Sequence, residues 1–184
     1  DWRRKAQHTA VRRDADGLVI EQHDGYFNLP HLDYHSIPEN EFPLARNWSY
    51  LRRLRFDLIK QPDVLLLMLF FGRDYSREEK AANYDFYEPR CCHESSLSPC
   101  IHSILAAELG RHEAAREYSR YAYRLDLDDY NNNTAQGLHV TSMGGAWMNL
   151  VYGFGGLRTD GPVLRFAPSI PAGWTAFSFR LFIT

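Results

Sequence analysis

The stretch His93-Glu94-Ser95-Ser96-Leu97-Ser98-Pro99 sets an imidazole and three hydroxyls ahead of an apolar helical pattern. Ser98 is placed to act as N-cap, with Pro99 at the first helical position where its missing N–H is no loss. Ser95 and Ser96 then stand beside free backbone donors and the positive end of a helix dipole, a setting that attracts an anion such as phosphate. The plainer reading is a serine-rich capping turn without a ligand. A second polar segment, Asn131 to Gly145, has the same design: a polar loop, His139, the hydroxyls of Thr141 and Ser142, and small residues where a helix begins. His139 alone reads as readily as a structural histidine.

Other side chains of suitable chemistry lie near these segments. Lys60-Gln61 precedes an apolar helical run and offers an ammonium and an amide that can donate to sugar hydroxyls; a snorkelling lysine at a solvated helix end is the plainer meaning. Asp85, Glu88 and Glu94 flank the serine loop and could serve as acid or base in glycoside chemistry, which needs two carboxyl groups across the scissile bond, or could simply brace loops. Cys91, Cys92, His93, Cys100 and His102 are metal-ligand types without CxxC or HxxxH spacing, so no metal site is expected.

The elements that must carry these groups are mainly helical. A short basic helix is predicted over Trp2 to Arg12, followed by a loop region rich in Gly, Pro and aromatic residues. Pro62 can open an apolar helix from Asp63 to Phe71, ended by Gly72. Ser76-Arg77-Glu78-Glu79 is a capping-box signature for a helix reaching about Asn83. Helices from Pro99 to Leu109, stopped by Gly110, and from about Glu113 to Leu125 read as an antiparallel hairpin. A further helix is expected from about Leu138 to Phe154. In Pro162 to Thr184, the alternation of Leu164 and Phe166, then Phe177, Phe179, Leu181 and Ile183, around Pro171-Ala172-Gly173 predicts strands.

Composition sets bounds on these readings. With 184 residues, 45% hydrophobic and 24% charged, the chain is long enough for one domain or for part of a larger one. A net charge of -2 gives no reason to expect nucleic acid or an anionic membrane as partner, so an anion site must be local. The longest apolar run, Val64 to Phe71, falls well short of the roughly 20 residues of a membrane span. Three cysteines make a poor disulfide framework and point to a reducing compartment, with the cytoplasm as default. The chain opens in a helix-like stretch without an initiator Met and ends in a strand-like one, so a fragment is expected.

Taken together, Lys60-Gln61-Pro62-Asp63-Val64, Asn83-Tyr84-Asp85-Phe86-Tyr87-Glu88-Pro89, His93-Glu94-Ser95-Ser96-Leu97-Ser98 and Leu125-Asp126-Leu127-Asp128-Asp129-Tyr130-Asn131-Asn132-Asn133-Thr134 resemble glycoside hydrolase family 65. The stretch Gly137 to Trp147 resembles its later phosphate-binding segment, and Asp24-Gly25-Tyr26-Phe27 also fits. The family includes inverting phosphorylases of maltose, trehalose, kojibiose and nigerose. The resemblance implies the later helices of an (α/α)6 barrel over residues 1–158 and the first strands of a C-terminal β-sandwich over 159–184. It implies that Ser95, Ser96 and His139 bind phosphate and that Lys60 and Gln61 bind the glucosyl unit. No cofactor is implied, inorganic phosphate being a co-substrate beside an α-glucose disaccharide. The catalytic acid implied is a glutamate upstream, so no catalytic residue is expected in this chain, which should be inactive alone. The remainder of the barrel and, at full length, a second copy are the expected protein partners. Cys91-Cys92 stands where threonines are usual, and Glu94 where aspartate is. The alternatives are a hydrolase on the same scaffold, with Glu88 or Glu94 as base for water, and a non-catalytic helical binding module.

Overall fold

The computed structural model describes residues 1–182. The chain is mainly helical, with one small sheet: α1 (Trp2–His8), α2 (Leu44–Asn47), α3 (Tyr50–Arg53), α4 (Asp63–Phe70), α5 (Arg77–Tyr87), α6 (Ser98–Leu109), α7 (His112–Arg124) and α8 (Val140–Met148), with α8 running on as a π-helical turn over Asn149–Phe154. Strands β1 (Leu157–Arg158) and β2 (Arg165–Phe166) pair antiparallel, Leu157 opposite Phe166.

Helix α6 is the centre of the molecule, because its sequence is apolar or small on every side. All of its residues except Glu108 are buried, and Ile101, Ile104, Leu105 and Leu109 each contribute about 1.5–3 kcal/mol by leaving water. It ends where Gly110 takes the left-handed conformation, φ 79°, which lets the Arg111 N–H reach back to the Ala106 carbonyl at 2.8 Å. Helix α7 is amphipathic and turns its small residues Ala115, Ser119 and Ala122 inward. The Ser103 hydroxyl donates to the Ala115 carbonyl at 2.8 Å.

The contacts fix the directions of the helices. Gln61, just before α4, bonds to Ser95, just before α6. At the other ends, Asp160 accepts from the Arg73 N–H beyond α4, while Arg158 bonds Glu108 of α6. A side-chain carbon at Gly145 of α8 would meet Cys100 of α6, and one at Gly153 would meet Ile104 further along. Helices α4, α6 and α8 are therefore parallel, with their N-termini at one end. Helices α5 and α7 run the opposite way: Arg77 at the start of α5 donates to the carbonyls of Glu108 and Leu109 at the end of α6.

Several boundaries differ from the sequence expectations, for local reasons. Helix α6 begins one residue early, at Ser98, so Leu97 is the cap position and Ser98 does not cap. Its hydroxyl donates to the Ser95 carbonyl at 3.3 Å instead. The capping box at Ser76 and Glu79 is present, but α5 continues to Tyr87 because Asn83, Tyr84 and Tyr87 are buried. Asn83 accepts from the Ile20 N–H at 2.9 Å and donates to the Leu18 carbonyl at 2.8 Å, docking the N-terminal loop. Helix α1 stops at His8, with no buried residue to hold it longer. Beyond β2 no strand forms among the described residues: Trp174, Phe177 and Phe179 cluster near Phe154 as ring pairs, and no partner strand meets their backbone. Ile183 lies outside the described residues.

Candidate active site

Two backbone segments create the end of the bundle where the candidate residues lie. The Ile59 N–H donates to the Arg90 carbonyl and the Cys92 N–H to the Ile59 carbonyl, both at 2.9 Å. This short parallel bridge clamps the segment before α4 to the one before α6. Extended backbone sends neighbours to opposite faces, so Cys91 joins the main core and Cys92 a second apolar cluster with Ile37, Leu44 and Trp48. All three cysteines are free and buried.

The clamp brings Gln61 to Ser95. The amide donates to the buried Ser95 hydroxyl at 2.8 Å, and the Leu97 N–H donates to the same oxygen at 3.2 Å. With its lone pairs engaged, that hydroxyl is poised to present its own proton to an anion. Ser96 is half-buried beside it, and Lys60 is exposed. Lys60 lines a cleft of about 280 Å³ with Arg53, Cys92 and Glu94.

His93 begins this loop in the left-handed conformation, φ 49°, a geometry uncommon for non-glycine residues. Its Nε2 lies 3.1 Å from the Tyr118 hydroxyl, which itself donates to Glu88 at 2.5 Å. Burial pushes the imidazole down to about 4, against the opposing pull of Glu88, so it is neutral at physiological pH. Glu94 spends both oxygens on the start of α2, accepting from the N–H groups of Leu44 and Ala45. Asp85 is held in two bonds by Arg111. The three carboxylates thus brace the loop and its surroundings.

His139 occupies the cap position of α8 and is built differently. Its ring Nδ1 lies 2.5 Å from one Asp126 oxygen and its backbone N–H donates to the other at 2.8 Å. A carboxylate accepts only, so the proton sits on Nδ1 and Nε2 is turned outward, 3.4 Å from the Asn133 amide. The ring hydrogen bond holds the Asp126 carboxyl below the usual range. Asp129, itself at φ 48°, accepts from the N–H groups of Asn133 and Thr134 and shapes the loop.

Gln61 and Ser95 are therefore in direct contact, whereas no hydrogen bond joins His139 to either serine among the described residues. Tyr121 lies between their loops, its hydroxyl 3.3 Å from both the His93 carbonyl and Asn131 Oδ1, to either of which its one proton can go. Glu94 and Asn131 to Asn133 line one cleft of about 330 Å³ with Arg46. A roomier cavity, about 940 Å³, lies at the opposite end of the bundle. Lys80 and Arg158 pair with Glu108 and Arg165 with Asp160 there, while Arg77 donates to the Glu108 and Leu109 carbonyls, which makes it largely an ion-paired seam.

Sequence spacing gave no sign of one further grouping. Cys91, His93 and His102 bring a ligating atom each within 4.8 Å of one another. The loop before α6 and the first turns of α6 bring the two histidines together, ring centroids 4.7 Å apart.

Residues 1–148 match the glycosyl hydrolase family 65 central catalytic domain. The chain belongs to glycosyl hydrolase family 65. It is 42% identical over 180 residues to maltose phosphorylase of Bacillus subtilis, covering 98% of this chain and 24% of that protein. It is 41% identical to alpha,alpha-trehalose phosphorylase of Thermoanaerobacter brockii, covering 98% of this chain and 23% of the relative. A solved structure from the human microbiome, provisionally named a kojibiose phosphorylase, superposes with a TM-score of 0.85 at 47% identity, over 92% of this chain and 22% of its own. The chain thus spans about a quarter of the length of the relatives it matches. Among the described residues no helix is long and apolar enough to cross a membrane.

Proposed function

We propose that this family 65 chain forms the phosphate-holding part of a disaccharide phosphorylase. Ser95, Ser96 and His139 hold inorganic phosphate, and Lys60 and Gln61 hold the glucosyl unit of an α-glucose disaccharide. The observation that carries the reading is the gathering of three parallel helix N-termini, each preceded by candidate residues, with Gln61 already bonded to Ser95. The alternation of parallel α4, α6 and α8 with antiparallel α5 and α7 suits an (α/α)6 barrel over residues 1–158, with 159–184 opening a β-sandwich. The remaining barrel would cover the apolar residues that α8 leaves exposed, Val140, Met143 and Trp147. A homodimer and a cytoplasmic location belong to the same proposal.

In the proposed reaction a phosphate oxygen attacks the anomeric carbon while an upstream glutamic acid protonates the departing sugar oxygen. One displacement inverts that carbon and yields β-glucose 1-phosphate and glucose. An inverting hydrolase needs a second carboxylate to activate water, but Glu88 and Glu94 are engaged by Tyr118 and by the α2 backbone. Phosphate brings its own negative charge and needs only to be held, which hydroxyls, N–H groups and an imidazole accomplish. The chain contributes no cofactor and, lacking the acid, no turnover alone.

The test is to supply the chain with the upstream part of the barrel and offer maltose, trehalose, kojibiose and nigerose with and without inorganic phosphate. Phosphate-dependent release of glucose 1-phosphate is expected from at least one. Cleavage at the same rate without phosphate would overturn the proposal in favour of hydrolysis.

A further inference from the structure

The cluster of Cys91, His93 and His102 carries chemistry that phosphorolysis does not use. The hydrogen bonds fix which nitrogens bear protons. Tyr118 gives its one proton to Glu88, so the tyrosine oxygen accepts from His93 Nε2–H, and His93 Nδ1 is left as a bare lone pair. The Ser98 carbonyl can only accept, so His102 Nδ1 bears the proton that bonds it at 2.9 Å, leaving Nε2 bare. Both bare nitrogens are buried without a hydrogen-bond partner. A buried acceptor left unpaired costs about 1–3 kcal/mol, and two of them belong to rings whose centroids lie 4.7 Å apart, in a cluster with the Cys91 thiol.

We propose that Cys91 Sγ, His93 Nδ1 and His102 Nε2 form a binding site for a borderline-soft divalent cation of the Zn2+ type. The donor set suits such an ion, which takes thiolate sulfur at about 2.3 Å and imidazole nitrogen at about 2.0–2.1 Å. Ligating atoms within 4.8 Å of one another close to the roughly 3.5 Å separations of a tetrahedron by about an ångström of side-chain movement. The outer contacts are those of a metal site. Each histidine donates its second N–H to a fixed acceptor, the Glu88-backed Tyr118 oxygen or the Ser98 carbonyl, orienting the ring and raising its basicity. His93 also lines a cleft of about 370 Å³ together with Tyr118 and the carboxylates Glu88 and Glu117, which connects the cluster's outer edge to open space. The left-handed backbone of His93 sets its ring against His102, a strained conformation of the sort that collects at ligand clamps.

Binding exchanges a proton for the cation: the Cys91 S–H bond breaks, the sulfur's electron pair forms the S–metal bond, and the proton leaves to solvent. Because the thiol must lose its proton to ligate, metal binding releases protons and strengthens as pH rises. The site stands independently of the phosphorylase reading.

The test uses the full metal-depleted chain with Co2+ and Zn2+ as probes. One Co2+ per chain is expected, with a thiolate-to-metal absorption band that Zn2+ displaces. Cys91→Ser should abolish the band and weaken Zn2+ at least tenfold in chelator competition, whereas Cys92→Ser, on the other face of the strand, keeps both. X-ray absorption of the Zn2+-loaded natural chain needs no variant and should give one sulfur near 2.3 Å with nitrogens near 2.0–2.1 Å. Absence of binding, a shell without sulfur, or a band that survives in folded Cys91→Ser overturns the proposal.

Discussion

The sharpest test of how α8 is seated uses two adjacent glycines. A side-chain carbon at Gly145 would lie 2.8 Å from Cys100 Cβ and 2.9 Å from its Sγ, whereas one at Gly144 would meet nothing within 4 Å. Alanine in a helix interior is favoured over glycine by about 0.8–1.0 kcal/mol, so Gly144→Ala should stabilise the chain by about that amount. Gly145→Ala receives the same backbone benefit but collides with an atom fixed to the α6 backbone, so one helix must shift by about an ångström. Overpacking of this kind costs about 1–3 kcal/mol, which leaves a net loss of about 1 kcal/mol and a gap of about 1–3 kcal/mol between the two variants. At an m-value of about 3 kcal/mol/M, urea unfolding reads this gap as a midpoint about 0.3–1 M lower for Gly145→Ala, and thermal melting reads it as about 2–12 °C. Removing the opposing carbon with Cys100→Gly should restore most of the difference in a double-mutant cycle. Equal stability of the two alanine variants would refute the close α8–α6 contact, and with it the placement of His139 relative to the serine loop.

The remaining predictions concern charge and the proposed phosphate site. Glu108→Gln strands Lys80 and Arg158 and should cost about 3 kcal/mol by urea unfolding. Burial alone would raise the Glu108 carboxyl, but Arg158 and Lys80 hold it below its usual value. Its contribution is therefore complete above the unfolded carboxylate pKa and lost as pH falls through the lower folded one, an acid-side loss that should shrink in the variant. Asp126→Asn leaves a single acceptor oxygen for the two His139 N–H groups that the carboxylate holds, so the tautomer is no longer fixed, and it should raise the KM for phosphate about tenfold in the assembled enzyme, worth about 1.4 kcal/mol; an unchanged KM would exclude His139. Ser95→Ala leaves the Gln61 amide and Leu97 N–H without their acceptor, and should cost about 1–2 kcal/mol of stability. Its effect should be non-additive with Gln61→Ala.

The helices were legible wherever a local rule decides them. Gly110 can close α6 because it alone reaches the left-handed turn without a Cβ penalty, and the Ser76–Glu79 capping box opens α5 through bonds confined to four residues. Legibility failed where distant partners decide. Helix α5 outlasts its expected end because Asn83 and Tyr87 bond to the backbone around Leu18 and Ile20. The alternation of Phe177, Phe179 and Leu181 reports which side chains find cover, and cover does not require a paired strand. The same division runs through the site. Ser95 and Gln61 were readable from residue type, yet their contact depends on the Ile59–Cys91 bridge, which no spacing encodes. Cys91, His93 and His102 were set aside for want of a metal-binding spacing; a loop turning at a left-handed His93 makes the spacing irrelevant.

The choice between phosphate and water as nucleophile turns on where the carboxylates are spent. A general base needs an oxygen free to take a proton; both Glu94 oxygens accept backbone N–H groups from α2, Asp85 is clamped by Arg111, and Glu88 spends one oxygen on Tyr118. Releasing Glu94 would unseat α2, whose Leu44 fills the second core cluster, so the carboxylate is tied to the fold. On the other side, the Ser95 hydroxyl has both lone pairs engaged and a proton to give, and His139 is oriented by Asp126 with Nε2 outward. On the proposed reading the hydroxyl orients phosphate by a neutral hydrogen bond, and His139, whose Nδ1–H is held by Asp126, donates to it only with a second proton on Nε2. A guanidinium in direct contact would bind the anion more tightly and dull its attack, because interactions equally strong before and during reaction do not accelerate it. Arg46 lines the cleft shared by Glu94 and the asparagine loop, where it can draw an anion toward the loops while the hydroxyls and N–H groups at the helix starts supply the orienting contacts.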